Sequence, residues 1–165
     1  MSPIATIAKS ARTLGVFVSV SSAALSAAAF QPVSFEDVPA HVLETAQKTA
    51  PGVTFDKVST ENEAGVTVYE FEATDYRGRH IEVDVRADGS LEEIEMEIDE
   101  SEVPDTVLAA LNADQKDFTV RYIEVSVRAN GFHVYEFEGI TAAGGRLDIE
   151  IAEDGRILSR EGALS

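Results

Sequence analysis

Cysteine is absent from the whole chain. That removes a disulfide framework, a thiolate metal site, a catalytic thiol and a lipid-modified cysteine anchor, so the folded protein must hold itself by core packing. Histidine is scarce. His41, His80 and His133 are dispersed, no two stand four apart, and HExxH is missing, which leaves zinc hydrolysis without its ligands. His41 reads as a helix-surface residue and His80 as a strand-face residue. No GxSxG elbow and no phosphate-cradling glycine loop occurs, and Gly144-Gly145 reads as a hairpin connection. The sequence therefore gives no catalytic residue, no metal ligand and no cofactor, and an enzyme is the least favoured reading.

Positive charge is also in short supply, with 13 Lys and Arg against 30 Asp and Glu and a net charge of −17. Two of the basic residues, Lys9 and Arg12, open a segment that reads as an export signal. An apolar stretch, Leu14 to Val20, runs on into a Ser/Ala tract, and Ala27-Ala28-Ala29 offers an A-x-A site before Phe30. The apolar stretch is shorter than the ~20 residues of a membrane span and is followed or interrupted by Ser19, Ser21, Ser22 and Ser26. Residues 1–29 are thus expected to be a cleaved signal peptide, leaving a periplasmic or secreted protein with no stable membrane anchor. Without Lys9 and Arg12, 11 basic side chains face 30 acidic ones, a net charge of −19. Nucleic acid and anionic membrane would repel such a chain, whereas basic proteins, basic peptides and cations are favoured partners. Solubility or salt tolerance alone is the plainer use of the same charge.

Against these absences stands a duplication. The pentapeptide VYEFE occurs at Val68 to Glu72 and again at Val134 to Glu138, and flanking glycines (Gly65 and Gly131, Gly78 and Gly144) and Asp-Gly turns (Asp88-Gly89, Asp154-Gly155) keep the same offset of 66. Upstream the offset is 65, matching Val38-Pro39 and Val42-Leu43 to Val103-Pro104 and Val107-Leu108. Each copy opens with an amphipathic helix, Pro39 to about Ala50 and Pro104 to about Asn112, with proline at the first helical position where its missing N–H costs nothing. Val42, Leu43 and Ala46 form the apolar stripe of the first, and Val107, Leu108 and Leu111 that of the second.

Strand-like alternation follows, cut by hairpin signals of which Asn130-Gly131 is the strongest. The expected strands are about 54–61, 66–74, 79–86 and 90–97, then 119–128, 132–140, 146–152 and 156–160. The fold class predicted from this pattern is α+β, with two tandem α-β-β-β-β repeats spanning 30–98 and 99–165. Each helix would pack on its own antiparallel four-stranded sheet.

Period two assigns the faces. Tyr69, Phe71, Ile81, Val83 and Val85 point one way, with Tyr135, Phe137, Leu147, Ile149 and Ile151 as their repeats, and these are predicted core. The other side carries Glu70, Glu72, Glu82 and Asp84 in the first copy and Glu136, Glu138, Asp148 and Glu150 in the second. Carboxylates on adjacent strands, about 4.8 Å apart, repel by roughly 1 kcal/mol per close pair even in water. Lys57, Arg86, Arg128 and Arg146 are available to offset part of that. The eight acids are either an ordinary solvated sheet face or a binding surface for a basic or cationic partner.

Two other acidic stretches invite a calcium reading. Asn112 to Asp117 lacks the mid-loop Gly and terminal Glu of a twelve-residue calcium loop, and reads as a helix-to-strand connection. The run from Glu92 to Glu102 is interleaved by Ile94, Met96 and Ile98, so it reads as a half-buried strand followed by a short polar linker, Asp99 to Glu102.

With these motifs assembled, the chain resembles the PepSY and PepSY-like group of exported bacterial domains. The matching residues are VPAHVLETA with its following PG, the VYEFEA strand, GRHIEVDV and RADGSLEEIE, and in the second copy VPDTVLAAL, VYEFEG, GRLDIEI and AEDGRILSRE. The two-copy layout is similar to that of beta-lactamase inhibitory proteins. The resemblance implies a noncatalytic extracytoplasmic domain that binds another protein, as an inhibitor or regulator of a peptidase. The second helix departs from the pattern in lacking a Pro-Gly stop. The chain has no peptidase domain, so any inhibited enzyme is a separate protein. The matching motif is a folding motif and carries no inhibitory residue across. The alternative function is a weak divalent-cation-binding acidic protein of the cell envelope.

Overall fold

The computed structural model describes residues 31–63 and 65–162. The segment read as a signal peptide, 1–29, falls outside the described residues. Nine strands form one antiparallel sheet in chain order: β1 (Gln31–Pro32), β2 (Lys57–Glu63), β3 (Val66–Thr74), β4 (His80–Arg86), β5 (Leu91–Glu97), β6 (Thr119–Arg128), β7 (His133–Ile140), β8 (Arg146–Ala152) and β9 (Ile157–Gly162). Two α-helices, α1 (Ala40–Thr49) and α2 (Asp105–Asp114), follow Pro39 and Pro104, which stand at the N-caps, one residue before the first helical position expected for them.

The strands lie within three residues of their predicted spans. Their assembly does not follow the prediction: the chain does not form two tandem repeats with separate four-stranded sheets. The finding that overturns it is the pairing of β5 with β6, where Ile94 faces Val127, Glu95 faces Ser126 and Met96 faces Val125. Two separate sheets would leave both strands as bare edges with unpaired N–H and C=O groups. Pairing removes those edges, and because Ile94 and Met96 meet Val127 and Val125, the apolar face runs on unbroken across the seam. The linker residues Glu100–Glu102 form a 3-10 turn, closed by the Asp99 N–H donating to Glu102 Oε2 at 3.0 Å. The edge strand β1 and this turn were not foreseen.

The predicted core faces agree with the burial. Phe71, Val83 and Val85 are fully buried with Val42 and Ala46 of α1, and Tyr69 and Ile81 pack against them. Tyr135, Phe137, Leu147, Ile149 and Ile151 are buried with Val107 and Leu111 of α2. Both helices therefore lie on the apolar face, α1 over β4 and β5 and α2 over β8. The β4–β5 turn is tied to α1 by the Thr45 hydroxyl, which donates to the Gly89 carbonyl at 2.8 Å, and by His41 Nε2, 3.0 Å from the Ala87 carbonyl. Gly89 has φ +86°, and a Cβ there would meet His41 Cδ2 at 2.7 Å, so turn geometry and helix approach both demand glycine. The register slips at the same place in both halves, between Asp84 and Val85 and between Glu150 and Ile151.

Candidate functional site

The helices take one side of the sheet, and the carboxylates share the other. Across β3 and β4, Glu70 faces Asp84 and Glu72 faces Glu82. Across β7 and β8, Glu136 faces Glu150 and Glu138 faces Asp148. The seam joins the two sets. Asp84 faces Glu93, Glu82 faces Glu95, Glu97 faces Glu124, and Glu124 faces Glu136. The single sheet thus merges two predicted acidic faces into one.

None of the eight predicted acids is fully exposed. Glu70 and Asp84 are buried, and Glu72, Glu82, Glu136, Glu138, Asp148 and Glu150 are half-buried. An ordinary solvated face does not describe this surface. The deepest acids lie outside the eight predicted ones: Glu93 is 1 % exposed, Glu124 2 % and Glu95 4 %. Repeat matching finds positions where both copies keep an acid. Glu93 and Glu124 stand where the other copy has Ser159 and Ser59, whereas Glu95 has an acid, Glu161, at its repeat position. Their signal was alternation, since Glu93 and Glu95 interleave with Ile94 and Met96 on a strand expected to be half-buried.

Hydroxyls and a few cations stabilise part of the face. Ser59 Oγ donates to Glu70 Oε2 and Ser159 Oγ to Glu150 Oε2, each at 2.8 Å. Ser126 Oγ donates to Glu93 Oε2, and Arg128 Nε lies 3.7 Å from the same oxygen. Lys57 Nζ is 3.0 Å from Glu72 Oε2, whereas Arg86 pairs with Glu92 at 2.7 Å and Arg146 is exposed opposite Ile140. His80 lies among the acids. Its Nδ1 is 3.1 Å from Glu124 Oε1, which also accepts the Tyr122 hydroxyl at 2.7 Å, and its Nε2 is 3.8 Å from Glu72 and 4.0 Å from Glu82.

This is little cation for so much carboxylate. Burial pushes the Glu93 carboxyl up to about 7, and the Glu95 charge adds to that against the lowering effects of Ser126 and Arg128. Asp84 is held well above the usual carboxylate range, first by burial and then by the charges of Glu82, Glu95, Glu70 and Glu93. One further surface residue escaped the sequence reading. Tyr76, 97 % exposed, stands in the β3–β4 turn beside Arg77.

The Asn112 to Asp117 stretch, read as a helix-to-strand connection, is helix as far as Asp114 and a connection only beyond it. Asn112 and Asp114 belong to the last turn of α2, and both Asp114 oxygens accept from the Arg160 guanidinium. His41, on α1, and His133, whose Nδ1 is 3.9 Å from Glu153, take no part in the acidic face.

No family model matches the chain, and no curated protein does. Solved structures match its fold. A DUF2874 family protein from Bacteroides uniformis is 18% identical, covering 75% of this chain and 88% of its own, with a TM-score of 0.59. A Bacteroides eggerthii protein, provisionally described as periplasmic, is 16% identical over 76% of this chain and 88% of its own, with a TM-score of 0.61. A BLIP-like protein from Bacteroides fragilis is 17% identical over 77% of this chain and 87% of its own, with a TM-score of 0.55. The chain therefore has a fold similar to that of DUF2874 family and BLIP-like structures, whereas the PepSY resemblance has no matching family model behind it.

Proposed function

We propose that the chain is a noncatalytic extracytoplasmic binding module whose acidic sheet face receives a basic segment of another protein, as an inhibitor or regulator of a peptidase. The observation that carries this reading is the face itself, a continuous field of carboxylates on one side of one sheet with Lys57 and Arg128 as its sparse positive groups. Such a field is costly to fold and useful to a basic partner, because it steers encounter and rejects acidic competitors. The rim is accessible: Glu72, Glu82, Glu136, Glu138, Asp148 and Glu150 are half-buried, so long lysine or arginine side chains reach them. The described fold is similar to that of a BLIP-like structure and of one provisionally described as periplasmic, which supports the extracytoplasmic placement. Among the described residues no helix is long and apolar enough to cross a membrane.

The test compares the parent with a variant in which Glu70, Glu72 and Glu82 become Gln and Asp84 becomes Asn. A partner captured from the extracytoplasmic fraction of the native host is then measured against both. The parent is expected to associate faster at low salt, and the variant to lose both the rate advantage and its salt dependence while still folding. An association rate equal in the two proteins at both salt levels would move the interface off this face.

A further inference from the structure

Asp84 is a poorly satisfied group on the acidic face. It is 8 % exposed, and its Oδ1 is shielded from solvent and accepts no hydrogen bond. Its cross-strand neighbours are Glu70 on one side and Glu93 on the other, and ionised carboxylates are acceptors only. Neither donates to that oxygen. Glu93 repeats the difficulty from the next strand, with Oε1 buried and unpartnered although Oε2 takes the Ser126 hydroxyl. Buried carboxylate oxygens in this state are strongly destabilising unless a proton or a cation neutralises them.

The surrounding geometry fits an ion. Glu70, Glu82 and Asp84 each present a carboxylate oxygen, and the three oxygens lie within 4.8 Å of one another. Calcium takes oxygen ligands at about 2.3–2.6 Å, so oxygens on opposite sides of one ion stand about 4.6–5.2 Å apart, and this trio fits around a single ion. The donor set is all carboxylate, which suits a hard cation and gives a softer metal nothing it prefers. We infer that Glu70, Glu82 and Asp84 form a calcium site, in which the ion supplies the charge that the buried Asp84 oxygen lacks and water completes the coordination shell.

The duplication provides an internal control. The positions 66 residues later are Glu136, Asp148 and Glu150. Among the described residues only the first trio closes to this distance. A physical difference stands beside the second trio: Glu150 accepts the hydroxyl of Ser159, which occupies the place that Glu93 takes beside Asp84. Where the first copy sets a carboxylate against a carboxylate, the second sets a donor against an acceptor. The site is a property of the isolated chain and does not depend on any protein partner, so its failure and that of the partner reading are separable.

The experiment uses the full chain freed of metal with a chelator, at pH 7.5 and physiological ionic strength. Calcium is titrated by calorimetry and by thermal melting, with magnesium in parallel. The parent is expected to bind calcium saturably near one ion per chain, with a melting temperature raised by several degrees and a smaller response to magnesium. Asp84→Asn is expected to weaken calcium binding at least ten-fold while its metal-free melting temperature equals or exceeds that of the parent, because the buried unpartnered carboxyl is gone. Glu82→Gln provides the same reading should the first variant fail to fold. Glu150→Gln is expected to keep the parental response. Non-saturable heats in the parent, or equal losses in Asp84→Asn and Glu150→Gln, would show a diffuse counterion atmosphere and overturn the site. No melting shift with calcium would show that Asp84 simply holds a proton, which overturns it equally.

Discussion

Single side chains sort cleanly into those that build the sheet and those that strain it. Phe71 and Phe137 are both fully buried at equivalent points of the duplication, Phe71 with the Phe55 ring 5.3 Å away and Phe137 against α2 and its neighbours. Phe→Ala at either is expected to cost roughly 3–5 kcal/mol in a denaturant melt. Gln at the half-buried Glu136, which faces Glu124 and Glu150, is expected to be neutral or slightly stabilising, since it removes like charge. A Glu136 change as damaging as Phe137→Ala would invert the faces. The alternation around VYEFE made this sorting legible, because a period of two states directions without any knowledge of tertiary structure. Depth was not legible in the same way. Glu70 reads as an outward acid of the sheet face and Glu93 as part of a half-buried strand, yet both are buried, because burial depends on which strand lies beside them and no residue records that locally. Gly139 shows the converse. The first copy has Ala73 at its place, but a Cβ on Gly139 would meet the Thr119 carbonyl at 2.4 Å and the Phe118 ring at 2.6 Å. Gly139→Ala is accordingly expected to lower stability by about 1–3 kcal/mol by forcing Phe118 and its strand aside.

At the scale of elements, the prolines, Asp-Gly turns and alternation placed every long strand and both helices, since each of those signals acts within a few residues. The seam does not act locally. β5 and β6 are separated by α2, and their pairing depends on Ile94 and Met96 matching Val127 and Val125 across that gap. A repeat read from sequence suggests two closed units, because it shows what recurs and not what happens where one copy meets the next. The same oversight hid the deepest acids, which flank that seam. A fragment ending at Ile98 tests the correction. It would expose β5 as a bare edge with half its apolar face uncovered, and edges of this kind recruit other strands. By sedimentation the 30–98 fragment is expected to self-associate or stay unfolded, and mixing with 99–165 is expected to restore the native circular dichroism. A monomeric fragment that melts cooperatively by itself would mean that the seam is dispensable and that the first half closes its own sheet.

For the whole molecule, the acidic face sets the dependence of stability on pH, and in an unusual direction. Carboxylates with lowered pKa, such as Asp75 beside Arg79 and Asp114 beside Arg160, contribute stability that is lost only as pH falls through and below about 4. Glu93 and Asp84 act the other way. With Glu93 raised from 4.5 to about 7, the folded chain holds a proton that the unfolded chain has released between those values, so stability falls as pH rises through that window and levels off above it. Glu93 alone corresponds to about 3 kcal/mol across the window, and Asp84 adds in the same direction. The metal-free protein is therefore expected to melt highest near pH 5 and distinctly lower at pH 8. General self-repulsion from a charge of −17 has the same sign, so the variant decides. Glu93→Gln keeps an acceptor for Ser126 and Arg128 while removing the titration. It is expected to raise the melting temperature at pH 8 far more than at pH 5. If the two shifts were equal, the pH dependence would belong to net charge. If calcium occupies the Asp84 trio, adding it at pH 8 should recover part of what the lost protons removed, and the gap between pH 5 and pH 8 should narrow in the parent but not in Asp84→Asn.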